Sequence, residues 1–539
     1  MLRQFLNSQS KSITSAAIII AGASFVSRLI GLVRDRILAH YFGAGPIMDA
    51  YYASFKIPDL VYNLLIAGAL TAGFIPTFTK LFETGEDKKP AWHLASNIIN
   101  IMGAALIVLC GFGIIFASPL AVIIAPGFAP ENKDLVVTFT RIMFFSPLLL
   151  GLSMVLGGIL QSLRRFVLYS IAPIFYNFGI IFGATALYRF IGVSGLAWGV
   201  VMGAALHLGI QIYGAYDAGY RWHFVFNLKD AASRLVGKLM IPRTLGLAMT
   251  NLNSIIVTML ASLLPIGSVA IYNYANNLQY FPIGLIGIPF ALAAFPVLSA
   301  AAVKNDKEIF IQSLATTAGQ ILFLIIPASV AIMLLRAQLV RVILGTGQFD
   351  WTATINTADA LALFALGLFA QSLIPLFARA FYALADSKTP FVISVISELI
   401  SIICALLLMK NFGVAGLALA SSIGATINLT LLVVYLRQTT KSLGENQLLP
   451  SLYKIIIATL FMALVIQLLK YPLARIFDQH YFWGILGQGL VAGLAGLAVY
   501  TLICHLLKVP EYLQFKRSFQ RRFLKFKVVE PSESFDVKE

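Results

Sequence analysis

The chain has 539 residues, of which 59% are hydrophobic and 12% charged, about half the charge of an ordinary soluble domain. So few charges exclude a soluble globular protein of this size, as well as disordered and fibrous classes, and leave a multispanning membrane protein. The formal net charge of +16 raises nucleic acid as a partner, and the placement of the basic residues decides that question.

In chain order, apolar runs broken by polar or Pro/Gly turns predict an all-α integral membrane protein with about 14 transmembrane helices. They fall near 13–33, 48–80, 92–117, 135–162, 167–188, 193–217, 236–264, 268–301, 309–334, 355–383, 388–409, 413–437, 451–473 and 482–506. Runs such as 98–117 do not alternate apolar with polar, which argues against a β-barrel. The first span has a cleavage-like Ala21-Gly22-Ala23 but reads as a retained helix, because removing it would upset the charge rule.

Basic residues gather in alternate loops. One side takes Arg3 and Lys11, then Lys80, Lys88 and Lys89, then Arg164 and Arg165, then Arg221, Lys229, Arg234 and Lys238. Lys304, Lys307, Arg437, Lys441 and the tail from Lys508 follow on that side. Among the opposite loops the third has Lys133, the fifth Arg189, the seventh none and the eleventh Lys410. This bias places both termini in the cytoplasm, in agreement with an even number of spans. The +16 is therefore an orientation signal, and the tail suits anionic lipid headgroups rather than nucleic acid.

Two segments match at an offset of 221 residues. Gly192-Val193-Ser194-Gly195-Leu196-Ala197 pairs with Gly413-Val414-Ala415-Gly416-Leu417-Ala418, and Leu163 pairs with Leu384 at the same spacing. A unit of about six spans repeated in parallel gives two six-helix lobes plus two additional C-terminal helices, an architecture of transporters. The expected divisions are 1–228, 229–444, 445–507 for the extra helices, and 508–539 for a basic cytoplasmic tail.

Charge inside a span is costly and marks either a cavity or an internal pair. The densest cluster is Arg28, Arg34, Asp35, Arg36, Asp49, Lys56 and Asp59. Arg28 and Asp35 are seven apart, as are Asp49, Lys56 and Asn63, so each set shares a helix face. One reading is a cationic cavity for an anionic headgroup, since arginine donates two parallel hydrogen bonds to phosphate. The other is mutual neutralisation, Arg28 with Asp35 and Lys56 with Asp49. Asn273 and Asn277 could bind sugar hydroxyls or simply join helices. Asn253, Glu398 and Thr426 form a candidate coupling-cation site, because hard cations take oxygen ligands, with an internal pair of Glu398 and Arg379 as the alternative.

Cys110, Cys404 and Cys504 sit in apolar runs with no metal or disulfide spacing. No HExxH, GxSxG or P-loop pattern occurs, so neither an enzyme nor a cofactor is expected. Coupling to the membrane potential or to a monovalent cation remains the expected energy source.

Several motifs in order resemble the MurJ/MviN family of lipid II flippases. They are Ser27-Arg28-Leu29-Ile30-Gly31, Val33-Arg34-Asp35, Phe42-Gly43-Ala44-Gly45, Asp49-Ala50-Tyr51-Tyr52 and Phe55-Lys56-Ile57-Pro58. Gly347-Gln348-Phe349-Asp350, Arg379-Ala380-Phe381-Tyr382-Ala383-Leu384 and Asp386-Ser387-Lys388-Thr389-Pro390 continue the similarity over nearly the whole chain. The resemblance implies a fold of the multidrug/oligosaccharidyl-lipid/polysaccharide exporter superfamily in the bacterial cytoplasmic membrane. It implies transport of the undecaprenyl-pyrophosphate-linked peptidoglycan precursor between leaflets, with the extra helices holding the lipid tail. The implied partners are that precursor, membrane lipids and cell-wall synthesis proteins. Arg28, Arg34, Asp49 and Lys56 match positions the family uses in its central cavity. Tyr62 and Asn277 stand where the family carries arginines, and Ala67 stands near an acidic position. These departures leave open another polyprenyl-linked glycan, or a drug/cation antiporter of the same superfamily.

Overall fold

The structure, a computed structural model, describes residues 13–64, 73–84, 87–479 and 481–523. Arg3, Lys11, Ala67 and the tail beyond Phe523 lie outside these residues. Among the described residues the regular elements are all helical. The first are α1 (Ile13–Phe42), α2 (Pro46–Ser54), α3 (Lys56–Tyr62), α4 (Ile75–Thr84), α5 (Lys89–Ile115) and α6 (Ala117–Ile124). Next come α7 (Pro130–Met143), α8 (Phe145–Ser162), α9 (Phe166–Phe182), α10 (Ser194–Asp217), α11 (Ala231–Ser262) and α12 (Ser268–Pro282). They are followed by α13 (Ile288–Val303), α14 (Lys307–Leu334), α15 (Arg336–Ile343), α16 (Trp351–Leu366) and α17 (Leu368–Ala383). The last are α18 (Lys388–Thr440), α19 (Glu445–Ile476), α20 (Phe482–Leu506) and α21 (Pro510–Phe523).

Among the described residues nine helices are long and apolar enough to cross a membrane, and α16 with α17, bent by 44°, makes a tenth. The protein is a multi-pass membrane protein. The expected spans near 13–33, 48–80 and 236–264 are not among these, so the expected count of about 14 is not matched among the described residues, and two further details differ from expectation. The first helix runs on to Phe42, so Arg34, Asp35 and Arg36 lie within it rather than near its end. The expected second span is broken at Phe55, because Pro58 has no N–H to give the carbonyl of Ser54.

The 221-residue repeat recurs in the backbone. Arg164 and Ala385 both take positive φ, 59° and 60°, where a helix ends. In each the same bond closes the turn, from Arg165 N–H to Leu160 O and from Asp386 N–H to Phe381 O, at 2.8 and 3.0 Å. Gly192 and Gly413 likewise share φ of 62° and 55°, and Gly413 interrupts α18 where the sequence placed a break between two spans.

The chain forms two compact units. The first holds residues up to Phe281 with Leu339–Gly367 and Phe391–Gly424. In it α9 packs against α10 and α1. Gly179 and Gly183 face Gly203 and Gly199 so closely that an added Cβ would meet backbone at 2.2 and 2.4 Å. This small-residue seam lets two membrane helices touch at their main chains. The second unit holds Pro282–Gln338, Leu368–Pro390 and residues from Ala425 on. There α19 and α20 pack on each other, α19 also lies against α14, and α21 rests on α14 and α20. Ser451 donates to Glu511, and Glu511 also fills the space beside Gly319.

Candidate functional site

The charged cluster of α1–α3 is assembled within the first unit. Arg34 donates from Nε and Nη2 to Asp35 Oδ1 at 3.0 and 2.8 Å, and from Nη1 to Asn177 Oδ1 at 3.0 Å. Asn277 Nδ2 donates to the other oxygen of Asp35 at 3.0 Å. Asp35 is buried, and all of its partners come from α1 and α12. The pairing weighed from spacing, Arg28 with Asp35, is therefore not the one formed. Arg28 lies one turn before Gly31, half-buried, with no hydrogen bond or ion pair among the described residues.

Lys56 Nζ donates to Ser254 Oγ at 3.1 Å and to Asn273 Oδ1 at 3.3 Å. Asp59 follows one turn later, exposed, within electrostatic reach of the lysine. Asn63 Nδ2 donates to Asn251 Oδ1 at 3.0 Å. The second pairing weighed from spacing, Lys56 with Asp49, is not formed either. Asp49 is buried and accepts from the backbone N–H groups of Gly267 at 2.6 Å and Ala270 at 2.8 Å. It caps the start of α12, where a carboxylate satisfies orphan donors and meets the positive end of the helix dipole.

Arg36 also leaves the cavity group. Its guanidinium donates to the carbonyls of Val342 and Ile343, at the C-terminal end of α15. Nearby, two family motifs interlock. Gln348 N–H donates to His40 O at 2.9 Å, and Tyr274 OH donates to Gly43 O at 3.2 Å. An added Cβ on Gly43 would meet Gln348 O at 2.6 Å, and one on Gly347 would meet His40 O at 2.2 Å.

Of the residues proposed for a coupling cation, Asn253 and Glu398 belong to the first unit and Thr426 to the second. Asn253 Oδ1 is buried without a hydrogen-bond partner among the described residues. Tyr272 lies near Glu398 and pairs with Ser421. Arg379, in the second unit, donates to the Pro375 carbonyl at 3.0 Å. Among the described residues no group of three His, Cys, Asp or Glu side chains could hold a metal ion.

Sequence reasoning missed Asn177, Asn251 and Ser254. A single amide within an apolar run, as at Asn177, is the available signal. Its partner Arg34 stands 143 residues away, so spacing could not supply the pair.

This arrangement defines a helical, multi-pass membrane protein with a repeated architecture and a charged, amide-rich cluster built from helices of both copies. The chain matches the family described as lipid II flippase MurJ over residues 38–486 and belongs to that family. A probable lipid II flippase MurJ of Rickettsia prowazekii is 29% identical over 504 residues, covering 92% of this chain and 98% of that protein. The lipid II flippase MurJ of Burkholderia cenocepacia is 30% identical over 431 residues, covering 78% and 83%. The fold is shared with a solved lipid II flippase MurJ in an inward closed conformation, with a TM-score of 0.73 and 23% identity. That match covers 94% of this chain and all of the other.

Proposed function

We propose that this protein moves lipid II, the undecaprenyl-pyrophosphate-linked peptidoglycan precursor, from the inner to the outer leaflet of the bacterial cytoplasmic membrane. Family membership supplies the substrate class. The structural observation that carries the reading is Arg28, a half-buried guanidinium of α1 with no hydrogen bond or ion pair among the described residues. A half-buried cation without a counter-charge is costly unless it serves a ligand, and a pyrophosphate is a fitting one.

In this reading Arg28, Arg34 and Lys56 meet the pyrophosphate, while Asn63, Asn273 and Asn277 line the site with amides for sugar or peptide groups. Asp49 shapes the site by holding α12. The site is exposed alternately to the two sides, no covalent bond is made or broken, and the halves 1–228 and 229–444 are the moving parts. The helices at 445–507 shelter the polyprenyl tail, and the tail at 508–539 meets anionic lipid. Both termini face the cytoplasm, as the bias of basic loops supports. The membrane potential or a monovalent cation drives the cycle, with Asn253 and Glu398 of the first unit as candidate ligands. Cell-wall synthesis proteins are the partners that would consume the product.

A second reading, another polyprenyl-linked glycan, is favoured by Tyr62 and Asn277, which stand where relatives are expected to carry arginines. Asn277 is already bonded to Asp35 and adds no positive charge. Depleting the protein in its source cell and identifying the precursor that accumulates in the inner leaflet decides between them. Accumulation of lipid II supports the first reading. Accumulation of a different lipid-linked glycan with normal lipid II turnover overturns it.

A further inference from the structure

The segment between α10 and α11 is irregular, yet it is fastened to α5 along its length. Ser96 Oγ bonds with Tyr220 OH at 3.0 Å and with His223 Nδ1 at 3.1 Å. Asn97 exchanges two bonds with the main chain of Asn227, both 2.8 Å. Asn100 Nδ2 donates to Val225 O at 2.8 Å, and Trp222 Nε1 donates to Asn100 Oδ1 at 3.0 Å. Side-chain amides of one helix thus satisfy the main chain of a non-helical strap. In water those main-chain groups would need no such help, whereas near lipid they must find partners in the protein.

Depth along α5 agrees. Ser96 and Asn100 lie about 10 and 17 Å along the helix from Lys89. The helix is 27 residues, or about 40 Å, and a hydrocarbon core is about 30 Å thick. Its outward apolar side chains begin further on, at Ile107 and Val108. With a core of about 30 Å laid over the far end of α5, Ser96 falls at its edge and Asn100 about 7 Å inside it.

On the strap, four large apolar side chains are exposed, interleaved with exposed Arg221, His223, Asn227 and Lys229. Trp222, Phe224, Phe226 and Leu228 are 59, 75, 48 and 59% exposed, while Tyr220 is buried. Irregular backbone is not tolerated inside hydrocarbon, and four adjacent bare apolar side chains are unfavourable in water. The interface suits both, and aromatic rings collect there. The charge around the strap has one sign left over. Arg221, stacked 3.6 Å over Tyr216, and Lys229 and Arg234 flank it. The nearby carboxylates are engaged, Asp217 with Arg165 and Asp230 with Ser233.

We propose that Trp222, Phe224, Phe226 and Leu228, held by Ser96, Asn97 and Asn100, form an anchor that inserts into the headgroup–acyl boundary of an anionic leaflet. The flanking cations meet its phosphates.

The test uses the full chain in phosphatidylglycerol/phosphatidylcholine vesicles, with Trp92, Trp198, Trp351 and Trp483 replaced by phenylalanine so that Trp222 alone reports. Lipids brominated near the headgroup should quench its emission severalfold more than lipids brominated near the chain ends. Equal emission with and without either bromolipid, or stronger quenching from the deep position, overturns the proposal. Trp92 packs against Phe78 and Tyr220, so its replacement could unfold the chain. A photoreactive residue at Phe224 in otherwise unchanged protein therefore gives an independent readout. A phospholipid adduct that falls severalfold when phosphatidylglycerol is omitted is expected. A protein adduct, or a lipid adduct indifferent to headgroup charge, overturns it.

Discussion

Asp49 accepts a 2.8 Å hydrogen bond from the main-chain N–H of Ala270, the residue 221 positions later and its own counterpart in the repeat. The two copies thus meet at equivalent places, yet the bond is one-sided. Pro46 opens α2 with no N–H to offer, whereas α12 opens on free donors and borrows a carboxylate from the first copy. Asp49→Ala is expected to lower stability by about 1–2 kcal/mol, the usual cost of losing a cap, and Asp49→Asn by less, since its amide oxygen still accepts. Thermal unfolding of the detergent-purified variants measures this. Loss of transport in Asp49→Ala at an unchanged midpoint would instead make Asp49 a substrate ligand.

The contact of Gly43 with the 347–348 turn is a second structural device. Both Gly43 and Gly347 take positive φ, 63° and 61°, and an added Cβ at either would strike backbone oxygen. Gly347→Ala should cost about 1–3 kcal/mol, as left-handed strain combines with that clash. Gly31, with nothing near its missing Cβ, is the control, and Gly31→Ala should leave the midpoint within about 0.5 kcal/mol of wild type.

Asp386 precedes α18 and accepts from the Thr389 N–H at 3.0 Å. The Thr389 hydroxyl and main chain hold its carboxyl below the ordinary 3.8. With the folded-state value depressed, this stabilisation is present above pH 3.8 and is lost as pH falls through the folded-state value. Asp386→Ala should therefore lower the unfolding midpoint at pH 7 by an amount worth about 0.5 kcal/mol, discounted for solvent screening. The gap to wild type should shrink as the pH drops below 4. A gap that stays constant with pH would remove the charge from the account.

Much of this was legible in the sequence, for physical reasons. Membrane spans betray themselves by length and hydropathy, and the repeat by a constant offset that returns as paired positive-φ positions. The break at Phe55 departs from the single span expected over 48–80, although its signal, the missing donor of Pro58, stands in the sequence. The pairing inside the cluster could not be read. Helical spacing says which residues share a face, but Arg34 bonds its neighbour Asp35 through side chains that bend around the helix. Asp49 ignores its own face for a helix end 218 residues away. Long-range partners such as Asn177 and Ser254 are set by packing of helices, which periodicity does not encode.

Arg28 and Arg34 provide the sharpest contrast, because the same residue type has opposite surroundings. Arg34 is about a quarter exposed and holds a buried carboxylate, so Arg34→Ala strands Asp35. Breaking one partner of a buried pair costs about 3–5 kcal/mol, reduced here to about 2–3 by the remaining exposure. Arg34→Ala with Asp35→Asn should recover most of that loss. Arg28 has no partner to strand, so Arg28→Ala should unfold within about 0.5 kcal/mol of wild type. Its effect should fall on transport, with loss of growth complementation and of lipid II turnover at the outer leaflet, and with partial rescue by Arg28→Lys, which keeps charge but not the planar fork. Measured together, the two variants separate recognition alone, at Arg28, from recognition joined to scaffolding, at Arg34. Full transport by a stable Arg28→Ala protein would remove Arg28 from the substrate site, and a wild-type unfolding midpoint in Arg34→Ala would remove the ion pair from the scaffold.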